Sequence, residues 1–504
     1  MVSCVMAGGV RGIESFLVRV EADISEGMPV FELVGYLGNE VKEARERVKT
    51  ALKNTGVMLP VKHLTVNLAP ADIRKAGTGY DMPVAAAILH AMKRIPTESI
   101  ESTLFAGELL LSGEFTGISG ILPIVLNARK EGLKRCIVPR ENAKEASVVD
   151  GISIYGVGDL TELTAFLSGE LSLSPEPLYE AETDTAVPEA DLCYVNGQKI
   201  VRRGIEIAAA GMHNILMVGP PGAGKSMIAK CIPTILPPLS REECLEVSSI
   251  YSVAGALNRK KCLMTNRPFM APHHTVTEIG MTGGGISMRP GCISMAHRGV
   301  LFLDEMPEFS RNALETLRQP MEDGKVSITR VRGSLSYPAE FMLAGAMNPC
   351  PCGAYPDLNR CSCKKSEIKR YTDRLSKPLL DRIDLCINVE KLEYKEMFTR
   401  EENESSASVR KRVCAAQRIQ QERFKDSPGV FFNSRMRAAD IRKFCVLGEE
   451  EEGYLYGMAE GLGISARMYH KVLKVARTIA DLAGLPAISK DCLTEALFYS
   501  KRNF

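Results

Sequence analysis

The chain has 504 residues, 45% of them apolar and 25% charged, with a formal net charge of +2; that length exceeds one hydrophobic core and predicts two to four domains. Near-neutrality excludes a surface coated with nucleic acid, so any such contact must be local, in a loop or channel. No run approaches the ~20 apolar residues of a membrane span, Met1–Arg19 lacks a basic n-region and a sustained apolar core, and fifteen scattered cysteines fit reduced thiols, so a cytoplasmic multidomain enzyme is expected.

Residues 1–168 read as mixed strand and helix. Val61–Leu68 is β-rich, and Asn39–Asn54 spaces Val41, Ala44, Val48, Ala51 and Leu52 for one buried helical stripe. Leu171–Asp191 carries six acidic residues, three prolines and no Lys or Arg, which predicts a solvated linker over 169–192. Residues 193–388 then alternate strand and helix. Asn214–Val218, Val300–Leu303 and Phe341–Ala346 read as buried strands of a mainly parallel sheet with helices on both faces. Residues 389–504 read as helical, through Val409–Arg423, Ala438–Leu447 and Ser465–Ala483. The last of these sets Tyr469, Val472, Leu473, Ala476, Ile479 and Ala483 along one face.

The first chemical motif is Gly219-Pro220-Pro221-Gly222-Ala223-Gly224-Lys225-Ser226. It follows a strand and opens a helix, as a phosphate-binding loop must. Its glycines let the backbone curl so that N–H groups face phosphate oxygens, and the helix adds its positive end. Lys225 is expected at the β- and γ-phosphates of ATP and Ser226 on Mg²⁺. Next comes Met270–Gly291, a glycine-rich excursion carrying His273 and His274 and read as a mobile loop with structural histidines.

Val300–Leu303 delivers Asp304 and Glu305 to the carboxyl end of a strand, where such sheets bind ligands. Asp304 is the expected Mg²⁺ partner, and Glu305 the residue that polarises the attacking water. Lys325–Ser336 reads as a β-hairpin turning near Gly333, with Lys325, Arg330 and Arg332 as candidates to track a DNA backbone. No aromatic lies on its tip, which argues against sequence reading. Asn348, just past the third strand, is placed to hold the attacking water or γ-phosphate.

Cys350, Cys352, Cys361 and Cys363 put four thiols within fourteen residues. Two C-x-C pairs can supply a tetrahedral zinc site, or form a metal-free Pro/Gly loop. Arg382 is the candidate arginine finger, with Arg374 competing for that role. Arg467 is placed to reach the γ-phosphate from the helical lid.

In this order the motifs resemble an AAA+ ATPase of the magnesium-chelatase-like branch, and more closely the ComM/YifB family. The matching stretches include 67–86, 204–226, MAPHHT at 270–275, HRGVLFLDE at 297–305, AMNPCPCG at 346–353, PLLDRIDL at 378–385 and 465–482. The resemblance implies a hexameric ring with ATP sites between subunits, Arg382 acting in trans and Arg467 as a second sensor. It implies a Lon-like, S5-domain-2-like N-terminal domain, an AAA+ P-loop core and a helical lid. The implied activity is DNA translocation or unwinding in branch migration or DNA uptake and recombination. A protein-remodelling factor or a magnesium-chelatase-type motor subunit is the alternative. Two departures, Cys292 for a usual glutamate and Lys377 for a glycine, lie away from the ATP chemistry. Leu122 occupies the slot of the Lon lysine, and neither Thr78 nor Ser119 has a basic partner in its motif, so peptidase activity is not expected.

Overall fold

The computed structural model describes residues 2–180, 190–258, 260–285, 288–330, 333–391 and 403–500. The chain forms two compact units, one of 1–183 with 241–265 and one of 184–240 with 266–504.

The first unit is built on β1 (Ser3–Arg11), β2 (Glu14–Ser25), β3 (Phe31–Val34), β4 (His63–Ala69), β5 (Thr103–Phe105), β8 (Arg135–Pro139) and β9 (Ser153–Val157), with β6 (Glu108–Leu109) and β7 (Phe115–Thr116) as a small separate pair. The seven-stranded sheet runs in the order β3-β4-β2-β1-β5-β8-β9. Strands β1, β2 and β4 are antiparallel and the other pairings parallel. Alternation decides the faces: Val18, Val20 and Ala22 of β2 and Leu64, Val66 and Leu68 of β4 point into one core. The Asn39–Asn54 helix packs there with all five residues of its expected stripe buried.

Two boundaries differ from what the sequence predicts. The helix Arg241–Ala254 and the segment to Thr265, expected inside the 193–388 core, belong to the first unit. The helix buries Cys244, Val247 and Ile250. Ser252 accepts the Gly120 amide through its carbonyl, its hydroxyl donates to Glu145 at 2.5 Å, and Arg241 donates to the Val148 carbonyl. The acidic stretch after residue 170 is also partly tied down. The Glu176 and Tyr179 amides donate to the carbonyls of Ile154 and Ser147, so backbone pairing overrides what composition suggests. Residues 181–189 of that expected linker lie outside the described residues.

The second unit contains β10 (Ile215–Val218), β11 (Phe269–Met270), β12 (Gly283–Gly284), β13 (Arg289–Pro290), β14 (Val300–Leu303), β15 (Lys325–Arg330), β16 (Gly333–Pro338), β17 (Met342–Met347) and β18 (Leu385–Asn388). Its main sheet is ordered β11-β14-β17-β10-β18, and every pairing is parallel. β10, β14 and β17 are buried at every position, as strands covered on both faces must be.

The C-terminal helices Ser406–Arg423, Ala438–Phe444, Glu449–Leu462, Ala466–Leu482 and Lys490–Ser500 belong to this same unit. The side chains of Gln417 and Gln420 donate to the Ala209 and Ala210 carbonyls at 2.9 Å. They thereby satisfy two carbonyls at the C-terminal end of the Lys199–Gly211 helix. Tyr469 and Ala483, expected on the buried stripe of the Ala466–Leu482 helix, are not buried. They sit near its ends, where the neighbouring Met468 and Leu482 pack against the core instead. Among the described residues no helix is long and apolar enough to cross a membrane.

Candidate functional site

Three neighbouring parallel strands, β14, β17 and β10, end on one edge of the sheet. They bring together residues 219–226, 304–305 and 348. Beyond β10 the chain curls through Gly222 and Gly224, both at positive φ, into the Lys225–Ile235 helix. Gly219 has no alternative, because a Cβ there would lie 2.2 Å from the Val389 carbonyl oxygen at the end of β18.

Lys225 donates to the Gly219 carbonyl at 2.6 Å, the Pro220 carbonyl at 2.9 Å and Asn348 Oδ1 at 3.1 Å. Burial lowers its pKa, against the opposing pull of Asp304 and Glu305. Ser226 Oγ donates to Asp304 Oδ2 at 2.6 Å. These contacts join the loop to the ends of both β14 and β17, bridging 78 and 123 positions of sequence.

Glu305 takes the left-handed conformation, φ 49°, with its side chain largely exposed. A non-glycine residue held there costs about 1–3 kcal/mol, a strain that collects at functional sites. His274 Nδ1 lies 3.9 Å from Glu305 Oε2. The sequence pattern alone reads His274 as structural and gives no hint of this approach. It sits just past β11, whose two residues give no periodicity to detect. The Met270–Gly291 segment around it includes the helix Glu278–Thr282 and the short β12–β13 pair. Residues 286–287 lie outside the described residues.

The arginines are placed differently. Arg382 donates to the Pro378 carbonyl at 2.7 Å and to Glu322. Arg467 lies 3.4 Å from Asp381, the residue beside Arg382. Among the described residues, the bonds of both arginines lie away from the Gly219–Ser226 loop of their own chain. Arg374 pairs with Glu308 at 2.8 Å and, with Arg311, Lys369 and Arg370, lines an open cleft of about 700 Å³.

A second cavity of about 410 Å³, lined by Asp191, Tyr194, Ser226, Met227 and Lys230 among others, flanks the helix that starts at Lys225. Tyr194 and Met227 present exposed apolar surface there.

The hairpin forms as β15 and β16, with Arg330 opposite Gly333. Val331 and Arg332, which lie between these paired positions in sequence, are outside the described residues, as is the placement of the Arg330 side chain. Lys325 is opposite Pro338, at the base and not the tip. Arg330 lies five positions farther along the strand, about 17 Å at a rise of about 3.4 Å per residue. Val326, Ile328, Leu335 and Tyr337 bury one face, while Ser327, Thr329, Ser334 and Ser336 alternate with them on the other.

The cysteines gather as a cluster. The Sγ atoms of Cys350, Cys352, Cys361 and Cys363 all lie within 4.8 Å of one another, close enough to hold a metal ion. In the first unit, Leu122 is fully buried. The Thr78 hydroxyl donates to Glu108 at 2.6 Å, and the buried Lys75 ammonium donates to the Pro70 carbonyl.

The family models "Subunit ChlI of Mg-chelatase", "Magnesium chelatase, subunit ChlI" and "Magnesium chelatase, subunit ChlI C-terminal" match residues 20–142, 191–397 and 403–500. The chain is 40% identical to the YifB protein of Salmonella typhimurium over 97% of its own length and 95% of the relative's. It is likewise 40% identical to the competence protein ComM of Haemophilus influenzae, with the same two coverages. A stretch covering 35% of the chain is 25% identical to part of the Lon protease of Mycolicibacterium smegmatis, 23% of that protein's length.

Proposed function

Because the chain belongs to the magnesium-chelatase-like ComM/YifB family, we propose that it is a ring-forming AAA+ motor that hydrolyses ATP and acts on DNA. The observation that carries the reading is the convergence of Lys225, Ser226, Asp304 and Asn348, joined by hydrogen bonds at one sheet edge.

Each residue has a role in it. The amides of Gly222 and Gly224 and the helix N-terminus cradle the phosphates; Pro220 and Pro221 have no N–H, and the Gly219 amide donates to the Met347 carbonyl. Lys225 neutralises charge on the β- and γ-phosphates, and Asn348 orients the attacking water or the γ-phosphate. Ser226 and Asp304 are both oxygen donors suited to a hard cation. They would hold Mg²⁺, which when bound neutralises phosphate charge. Glu305 takes the proton of the attacking water. Tyr194 and Met227 form the apolar wall for the base, in a cavity of the size that small ligands use. Arg382 serves the site of a neighbouring subunit, and Arg467 acts from the lid.

Lys225→Ala tests the core of the reading. The ammonium makes charge-assisted bonds worth about 1.5–3 kcal/mol, so ATP affinity should fall about 10- to 100-fold and phosphate release with it. Affinity and turnover equal to the parent's would dismiss the motor.

DNA is the favoured substrate because a relative of 40% identity across the whole chain is named a competence protein. The hairpin segment is the candidate contact, carried by Arg330 and Arg332; Lys325, paired with Pro338 at the base, is the weaker member. Arg330→Ala with Arg332→Ala should lower DNA-stimulated ATPase and reduce the salt slope of DNA binding by about 1 for each phosphate no longer neutralised. Filter binding across a salt series measures the slope and a coupled phosphate-release assay the stimulation; an unchanged slope would retire the hairpin.

The partial Lon likeness favours protein remodelling as a second reading. Stimulation of ATPase by unfolded protein and not by single-stranded, duplex or branched DNA would select it. The first unit is read as a peptidase-like scaffold without its catalytic pair, since Thr78 faces a glutamate and Leu122 belongs to the core.

A further inference from the structure

We propose that Cys350, Cys352, Cys361 and Cys363 form a structural zinc site that braces the asparagine loop against the phosphate-binding loop. A Zn–S bond is about 2.3 Å, which makes the edge of a ZnS₄ tetrahedron about 3.8 Å. The sulfurs of Cys350, Cys352 and Cys361 are 3.3, 3.6 and 3.7 Å apart pairwise, and all four lie within 4.8 Å. A disulfide would need about 2.05 Å. A polynuclear iron–sulfur cluster would hold its four cysteine sulfurs farther apart than they are here.

The surroundings suit a tetrathiolate. Cys350 is fully buried, and its sulfur accepts the Tyr355 amide at 3.4 Å, the kind of second contact that orients a ligand. Gly353 follows the first pair at φ 80° and closes a turn by donating its amide to the Cys350 carbonyl. Zn²⁺ on four thiolates releases four protons and leaves a charge of −2, beside the exposed Lys364 and Lys365. With all four positions filled by protein, the ion has no open site for chemistry.

The loop is anchored to the ATP site at two points. Asn348, two residues before Cys350, accepts from Lys225. Gly353 packs so closely on Pro221 that a Cβ would lie 2.4 Å from its Cδ. Metal loading therefore sets the position of both. This coupling rests on the ATP reading; the metal site does not.

Elemental analysis of the full chain, purified reduced and without added metal, should give about one zinc per protomer. Cys361→Ser with Cys363→Ser should lose it, and Cys414→Ser should keep it. Cobalt exchanged into the parent chain should show intense thiolate-to-cobalt absorption, a readout that does not depend on the variants folding. Four free thiols without metal, iron in place of zinc, or a Cys350–Cys352 disulfide in peptide mapping would overturn the site. Stripping zinc from the parent should lower ATP turnover by up to about 100-fold, with recovery on readdition. Equal turnover in stripped and loaded chains would overturn the coupling. A zinc-loaded chain that binds no nucleotide would instead sink the ATP reading and leave the metal site standing.

Discussion

Glu305→Gln should lower ATP turnover by about 10²–10⁴-fold, the range for loss of a positioned general base, while nucleotide binding is kept. The separation follows from geometry. The hydrogen bonds that hold the loop to the strand ends run through Lys225, Ser226, Asp304 and Asn348. The Glu305 side chain is largely exposed, near His274, and takes part in none of them. Glutamine keeps the size and polarity of the residue and its tolerance of the local backbone, but it cannot accept a proton. A fluorescent nucleotide should therefore bind as tightly as before and remain uncleaved. Undiminished hydrolysis in single-turnover assays would remove Glu305 from the chemistry and direct attention to water held by other groups, Asn348 first.

Arg382→Ala carries a larger expected loss, about 10³–10⁵-fold, the value of an arginine finger. Within its own chain Arg382 bonds to Glu322 and the Pro378 carbonyl, away from the phosphate-binding loop. The reading thus requires that it serve another subunit. That requirement makes a mixing experiment decisive. Subunits with Lys225→Ala keep Arg382, and subunits with Arg382→Ala keep an intact loop, so mixed assemblies should recover activity that neither population has alone. Glu322→Gln controls for loss of the ion pair, because it leaves the guanidinium in place and should not reproduce the defect. If Arg382→Ala hydrolyses ATP like the parent, or mixing restores nothing, the finger is elsewhere. Arg374, ion-paired with Glu308 three residues beyond Glu305, is then next.

How much of the molecule is legible in the sequence varies with the distance over which each feature is determined. The Asn39–Asn54 helix is readable to its last buried residue, because a 3.6-residue period records which face is covered. The strands leading to Gly219, Asp304 and Asn348 are readable as short apolar runs, since burial on both faces removes polar positions. β11 and β18 escape such reading: two residues carry too little pattern, and Leu385–Asn388 is no unbroken apolar run, with Cys386 half-buried and Asn388 exposed. The helix Arg241–Ala254 falls on the wrong side of the domain boundary expected from sequence because its partners, such as Glu145 and Val148, lie about a hundred positions away.

The sequence by itself determined the chemistry that one contiguous segment can hold. Strand, glycine turn, lysine and helix are adjacent along the chain, so the phosphate-binding loop needs little beyond its own residues to be recognised. The tertiary structure alone decided which remote groups share a site. It brings Asn348 to Lys225, His274 to Glu305, Gly353 to Pro221 and four sulfurs into one cluster. Those approaches depend on the order β11-β14-β17-β10-β18 and on side-chain packing. Local periodicity records whether a residue is buried, but not what it is buried against.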